Sequence, residues 1–479
     1  MTNPSTLRLN PKEAIKQQFC KSEDFITKEH KTDREQFEII YFESLTDIQY
    51  LDKYILPKLA LHQDQSLKTR LKTFFQAEDV TTKTVDELSD LLFTGNVIFH
   101  VNETLLSIRA ADFPKRKPEE SALESSIRGP KDGFVEDIKT NISLIRRRLN
   151  TPSLCLEKYT IGKRSKTKVV LMYIEDVIDE RILNEIRSRL NKVELDILTS
   201  IYELESYVQD RPFSVFPSMS YTGRPDFIVD ALNQGRFALI VDGNPTVTFA
   251  PVHILLETKS PEDAYSSYSY VSLERLIRFL GLIISTFLPG LWIAFSSFNI
   301  EQIPYTLVAT ISISRFGLPL SSPLEMFIIL MLFELFDEAG IRLPRAIGQT
   351  ISVLGGLIVG DAAIRAGITS PTMLVVAAIT YISSFTLVNP SLSSGITLIR
   401  FCILLLSTFL GLFGVVIGYI LTVIYLSTIS SFGTSYLESV APLGIKKVIK
   451  SFIKAPPQAY KERNTSTSPD DPTRGENNT

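Results

Sequence analysis

Up to Arg278 the chain mixes apolar and polar positions in short periodic runs, and from Phe279 to about Leu437 it is almost continuously apolar. Phe279–Phe298 has the roughly 20 residues a helix needs to cross a bilayer. The charged half cannot enter lipid, because Lys, Arg and Asp each cost roughly 2.5–3.5 kcal/mol at a helix centre. Within that half, Phe37–Phe42 (FEIIYF) predicts a strand, Asp47–Leu61 and Thr84–Leu92 have helical spacing, and Asn96–Val101 with Thr104–Arg109 predicts a strand pair. After a Pro/Lys/Glu/Ser-rich stretch at 114–130, a second unit begins near Gly133. Val135–Leu149 predicts a helix, Leu154–Ile161 and Lys168–Ile174 strands, and Asp179–Val193 an amphipathic helix with Asp at its start and Arg/Lys in its last turn. Phe237–Val241 and Val247–Pro251 flank a Gly/Pro turn. The second unit reads as a mixed sheet with helices on its faces.

In the apolar half, Pro304–Leu320 and Pro323–Glu338 are short and carry Arg315, Glu325 and Glu334, so they predict a broken or interfacial hairpin. Ile347–Ala366 and Pro371–Val388 are stronger, and Ile396–Ser430 predicts either one very long helix or two meeting near Gly411–Gly418. The fold class is an α/β region of two subdomains followed by an all-α polytopic membrane domain of five or six passes. Its divisions are a flexible arm (1–34), a first α/β subdomain (35–113), a linker (114–132), a second α/β subdomain (133–272), the transmembrane domain (273–443) and a basic, then disordered tail (444–479).

Charge sharpens this picture. The net charge of -3 gives no case for nucleic-acid binding. Met1–Asn10 has no apolar run of a signal peptide, and Arg275 and Arg278 precede the first span, so the N-terminal region is expected to be cytoplasmic. Lys446, Lys447, Lys450 and Lys454 place the C-terminus on the same side. Three cysteines are too scattered for a disulfide framework. The four histidines match no metal spacing. Gly162-Lys163-Arg164-Ser165 lacks the leading Gly of a phosphate loop, since Glu157 stands there. No nucleophile signature is present, so the reading is not an enzyme, and no cofactor is implied.

Arg128 and Arg146-Arg147-Arg148 gather guanidinium groups on or beside one helix. They form either a solvated face paired with Asp132, Glu136 and Asp137 or a contact surface for a subunit or partner. The segment 211–226, with Arg211-Pro212-Phe213 and Arg224-Pro225-Asp226, suits a structural clamp or a contact site, and Arg224 and Asp226 join the contact candidates. In Ile347–Ala366, Gln349, Ser352, Gly356 and Val359, extended to Ala363, recur at spacings of three and four. Such a face fits a tight helix interface or the lining of a gated, water-filled pore. Asp361 and Arg365 are an i,i+4 pair at the end of that segment.

The chain resembles the A subunit of GerA-type spore germination nutrient receptors. The resemblance rests on IRGPKDGF (127–134), NISLIRRRL (141–149), IGKRSKTKV (161–169), RPFSVFP (211–217), RPD (224–226), QGRFALIVDGNP (234–245), SPEDAY (260–265), AGIRLPRAIGQT (339–350) and SSF (383–385). It runs from about residue 127 to Pro442. Gly223 departs from it, since a Glu usually precedes RPD. The resemblance implies an integral protein of the spore inner membrane that works with a permease-like B subunit and a lipoprotein C subunit. It further implies that A subunits form a homo-oligomeric, ligand-gated channel in the lipid bilayer, releasing monovalent cations to start germination. The alternatives are a paralogue that amplifies ion release without sensing, and a membrane scaffold or signalling protein.

Overall fold

The computed structural model describes residues 11–31, 35–61, 66–111, 124, 126–341, 360–438, 453–454 and 473. The first sheet has the strand order Phe25–Lys31, Gln36–Phe42, Asn96–Val101, Thr104–Arg109, Glu78–Asp79, with every pair antiparallel. The interior strand Gln36–Phe42 is buried on both faces: Phe37, Ile39 and Tyr41 pack into one core, and Ile40 and Phe42 into the other. A strand covered on both sides reads as an unbroken apolar run, which is why FEIIYF lacks alternation.

Within the stretch expected to be a flexible arm (1–34), the described residues 11–31 hold a helix and a strand. Pro11–Gln18 is a helix whose Ile15 joins Phe19 in the core against Phe42 and Phe93, and Lys12 and Lys16 neutralise the buried Glu38. One i,i+4 apolar pair is too little periodicity to stand out in a polar sequence. Phe25–Lys31 forms the edge strand, and its charged residues suit an edge, where such residues block further pairing.

The second sheet has the order Leu154–Ile161, Thr167–Ile174, Phe237–Val241, Val247–Ala250, Ser220–Thr222. It is antiparallel at every strand pair rather than mixed. Its sheet neighbours 154–161 and 167–174, and likewise 237–241 and 247–250, are joined by short connections, which permit only antiparallel pairing. One face packs on Ile138–Arg146 and Pro225–Asn233, the other on Glu180–Lys192 and Ile201–Val208. The first of these cores continues without a break into Leu387, Leu392, Ile396, Ile429 and Tyr436 from the apolar half.

Among the described residues, two helices, Tyr268–Ser297 and Pro390–Leu410, are long and apolar enough to cross a membrane. The region expected to be a broken hairpin holds a short helix, Tyr305–Arg315, and a longer one, Ser322–Ile341. The stretch 396–430 resolves into two helices, Pro390–Leu410 and Leu412–Thr428, joined by Gly411 at φ +59°. A Cβ there would lie 2.8 Å from the Phe298 ring, so both the backbone angle and the space require glycine. Gly290 and Gly418 both abut Ile403, letting three helices cross closely.

Candidate functional site: the junction between sheet and apolar helices

The polar groups that join the second sheet to the apolar helices form the most elaborated site in the described residues. Asn389 precedes Pro390, a cap-and-proline pair that starts a helix. Its Oδ1 accepts from the Ser391 N–H at 2.8 Å, while its Nδ2 donates to Ser220 Oγ at 2.9 Å and to the Glu257 carboxylate. One amide thus caps an apolar helix and ties it to two segments of the soluble unit. Glu257 is 3% exposed at the end of the helix Ile254–Glu257. Its second oxygen has no hydrogen-bond partner among the described residues. It lines a cavity with Glu124, Ser220, Tyr221, Lys259 and Asn389.

Burial pushes the Glu257 carboxyl up to about 8, against the lowering effect of the Ser220 and Asn389 hydrogen bonds and the Arg236 charge; the Glu205 carboxylate adds to the rise. From the ordinary value of 4.5 to about 8, folded Glu257 keeps a proton that the unfolded chain has released. Its contribution to stability is therefore complete below 4.5 and lost as pH rises through that window. Arg236, Glu205, Lys259, Glu124, Tyr221 and Tyr436 are among the other ionisable groups around it. Glu257→Gln, which cannot titrate, is expected to flatten the fall in melting temperature of the full chain across that window. Equal slopes for both proteins would show that Glu257 does not hold the proton.

Beside this point, Arg224 is 1% exposed and enclosed by carboxylates. It donates to Asp226 at 3.1 and 2.7 Å and to Glu262 at 2.5 Å, and Tyr265 Oη donates to Asp226 at 2.9 Å. The Arg128 backbone N–H donates to the other Glu262 oxygen at 3.3 Å. Asp263, one residue on and 4% exposed, accepts from Arg275 at 2.9 Å and Arg278 at 2.8 Å. The turn 261–264 therefore clamps the first turns of Tyr268–Ser297 to the helix at 225–233. On the far side, the Val215 N–H donates to Tyr425 Oη at 2.7 Å, Arg211 to Thr428 at 3.1 Å, and Ser431 Oγ to the Ser218 carbonyl at 2.6 Å.

The residues singled out from the sequence scatter. Arg224 and Asp226 come together, but Arg224 is consumed inside the chain and presents no surface to a partner. Arg146 is likewise internal: it is 0% exposed, donates to Asp24 at 2.7 Å, and lies 4.5 Å from the centre of the Phe42 ring. Arg148 pairs with Asp132 at 2.6 Å, the pairing expected of a solvated face, whereas Arg128 and Arg147 are exposed. Gln349, Ser352, Gly356 and Val359 lie outside the described residues. Ala363 is described, half-buried beside the Asp361–Arg365 pair at 2.7 Å. Glu257, Asn389 and Asp263 went unnoticed in the sequence. The Asn-Pro start of an apolar run could have revealed Asn389, but nothing local distinguishes Glu257.

Two antiparallel sheets flanked by helices, the second sharing a core with a helix long enough to cross a membrane, define a membrane-associated protein in which the second sheet and the apolar part are mechanically continuous. The chain belongs to the Bacillus/Clostridium GerA spore germination protein family, whose model matches residues 13–466. It is 39% identical over 433 residues to spore germination protein XA of Bacillus anthracis, covering 89% of this chain and 88% of that one. It is 33% identical over 473 residues to spore germination protein KA of Bacillus subtilis, covering 96% and 86%. The uncharacterized membrane protein YfkQ of Bacillus subtilis is 30% identical over 426 residues, covering 87% and 83%. Among solved structures, the N-terminal domain of the A subunit of the Bacillus megaterium spore germinant receptor GerK3 aligns with a TM-score of 0.38 and 28% identity, over 50% of this chain and 92% of that one.

Proposed function

We propose that this chain is the A subunit of a nutrient-responsive germination receptor in the spore inner membrane. Copies of it assemble into a ligand-gated channel that releases monovalent cations. The observation that supports this best is the core shared between the second sheet and the ends of the apolar helices, in a member of the GerA family. A soluble unit joined in this way to a helical block can transmit a rearrangement to it. The nutrient is held by a permease-like B subunit, and a lipoprotein C subunit completes the complex. The nutrient opens the channel only to the extent that it binds the open state more tightly.

The soluble units lie on the cytoplasmic side. Exposed Arg128 and Arg147 are suited to carboxylates of a neighbouring subunit. The pore face is assigned to Gln349, Ser352, Gly356, Val359 and Ala363, whose spacing places polar groups and bare backbone beside an apolar ring.

Purified oligomer in liposomes should pass K⁺ or Na⁺, and an impermeable, well-folded preparation would overturn the channel reading. Val359→Ala and Gly356→Ser are expected to change ion leak or nutrient sensitivity severalfold. Well-expressed variants of both with ordinary dormancy and response would remove this face from the pore. The kinship with YfkQ, a membrane protein carrying no germination name, motivates a second reading: a paralogue that amplifies ion release without sensing. Deleting the chain would then slow germination by every nutrient equally instead of abolishing the response to one.

A further inference from the structure

Phe213 is 98% exposed, yet its loop is fixed on both sides. Phe216, three residues on, is 4% exposed and packs against Tyr425 and Tyr436. The Val215 N–H is bonded to Tyr425 Oη, and the Val215 carbonyl lies so close to Gly395 that a Cβ there would meet it at 2.6 Å. The loop is thus seated on two apolar helices, Pro390–Leu410 and Leu412–Thr428, while the Phe213 ring is free of both.

Its level along those helices can be read from their crossing. Gly290, Ile403 and Gly418 meet at one crossing, with Ile403 eight residues before Gly411 and Gly418 seven after it, and we place this crossing at the bilayer midplane. Gly395 precedes Ile403 by eight residues and Tyr425 follows Gly418 by seven, a displacement of about 10–12 Å at about 1.5 Å per residue. Half of a bilayer's hydrocarbon is about 15 Å thick. The anchors of the loop therefore lie just inside the hydrocarbon edge. Thr428, ten residues past Gly418, is about 15 Å from the crossing, at the headgroup boundary, and it is Thr428 that holds the exposed Arg211 guanidinium. Ile420, Leu421 and Ile424 are exposed on the helix that carries Tyr425.

We infer that the segment Arg211–Val215 is a lipid-contacting wedge, in which Phe213 sits among acyl chains at the bilayer edge and Arg211 meets the phosphates above it. An aromatic ring at the hydrocarbon edge and a cation at the headgroup level are the residue types such a boundary favours. The wedge fixes the depth at which the second sheet rides on the membrane. The inference rests on reading Tyr268–Ser297 and Pro390–Leu410 as spanning helices, and one experiment separates the two claims.

The chain has a single tryptophan, Trp292, within the helix Tyr268–Ser297. In liposomes of the full chain, Trp292 should lose emission to lipids brominated near the acyl methyl ends. Its failure to do so would overturn the spanning reading and the wedge with it. Phe213→Trp in a Trp292→Phe background should lose most of its emission to lipids brominated near the headgroup end, less to those brominated near the methyl ends, and little to aqueous iodide. Quenching by iodide without quenching by brominated lipid would put the loop in water. Quenching by neither would place it beneath a second copy of the chain, and either result overturns the wedge while leaving the spans intact. If Trp292→Phe does not accumulate, the difference between Phe213→Trp and the parent gives the same readout.

Discussion

Replacing Arg146 by Ala is expected to destabilise the soluble region by about 3–5 kcal/mol, because it leaves Asp24 buried and uncompensated. Asp24 is 1% exposed and bonds to Ser44 at 2.7 Å and to Arg146 at 2.7 Å. These residues belong to different sheets. Asp24 lies just before the first edge strand, and Arg146 ends a helix on the second sheet. Around them, Ser22 Oγ donates to the Leu154 carbonyl at 2.9 Å, the Glu23 N–H donates to the Leu156 carbonyl at 3.0 Å, and Lys139 and Lys158 both reach Glu43. The two subdomains are thus locked along a seam with one buried charge pair at its centre. Arg146→Ala should lower the melting temperature and release the first subdomain to limited proteolysis ahead of the second. The double variant Asp24→Leu/Arg146→Leu should recover much of the loss, since exchanging a buried pair for apolar groups is often neutral. A single variant as stable as the parent would show that the seam does not depend on the pair.

The second large effect is expected among the apolar helices. Arg400 is 1% exposed on Pro390–Leu410, donates to Glu334 at 3.3 Å and to Thr397 at 3.2 Å, and its charge acts on two carboxylates of Ser322–Ile341, Glu334 and Asp337. Tyr381 donates to Asp337 at 2.8 Å. Arg400→Leu would remove this charge from both carboxylates in an apolar setting, at a cost of about 3–5 kcal/mol for an ion pair broken on one side. Full-chain protein should fall sharply in isolated membranes, and Glu334→Gln added to Arg400→Leu should restore part of it. Undiminished accumulation of the single variant would argue that this network is solvated.

Strands with a strong local signal, an apolar run or an alternation bounded by turns, were legible in the sequence: 37–42, 96–101, 104–109, 154–161 and 237–241 all appear as strands near their expected bounds. What stayed hidden depended on distant partners. Ile15 and Phe19 become core residues only when Phe42 and Phe93 are brought above them. Sheet direction followed from connection lengths, which the alternation of strand and helix masked. Arginine clusters gave the least reliable signal. A guanidinium that serves a surface and one that neutralises a buried aspartate look alike until the aspartate is found, and Asp24 lies 122 residues from Arg146 in the chain. The junction was invisible for the same reason, since Glu257 and Asn389 are separated by 132 residues.

The glycine-turned pair of helices from Pro390 to Thr428 is gripped by the second sheet at both open ends, through Asn389 at one and through Tyr425 and Thr428 at the other. With a single residue at its closed end, the pair has no slack in which to scissor. It behaves as a prong of the soluble unit rather than as an independent part of the helical block. If the block opens as proposed, the grip on this prong leaves sliding against helices that the sheet does not hold, such as Ser322–Ile341, as the motion to expect. Arg400 and Glu334 sit on opposite sides of that sliding surface, so their contact would be the bolt across it.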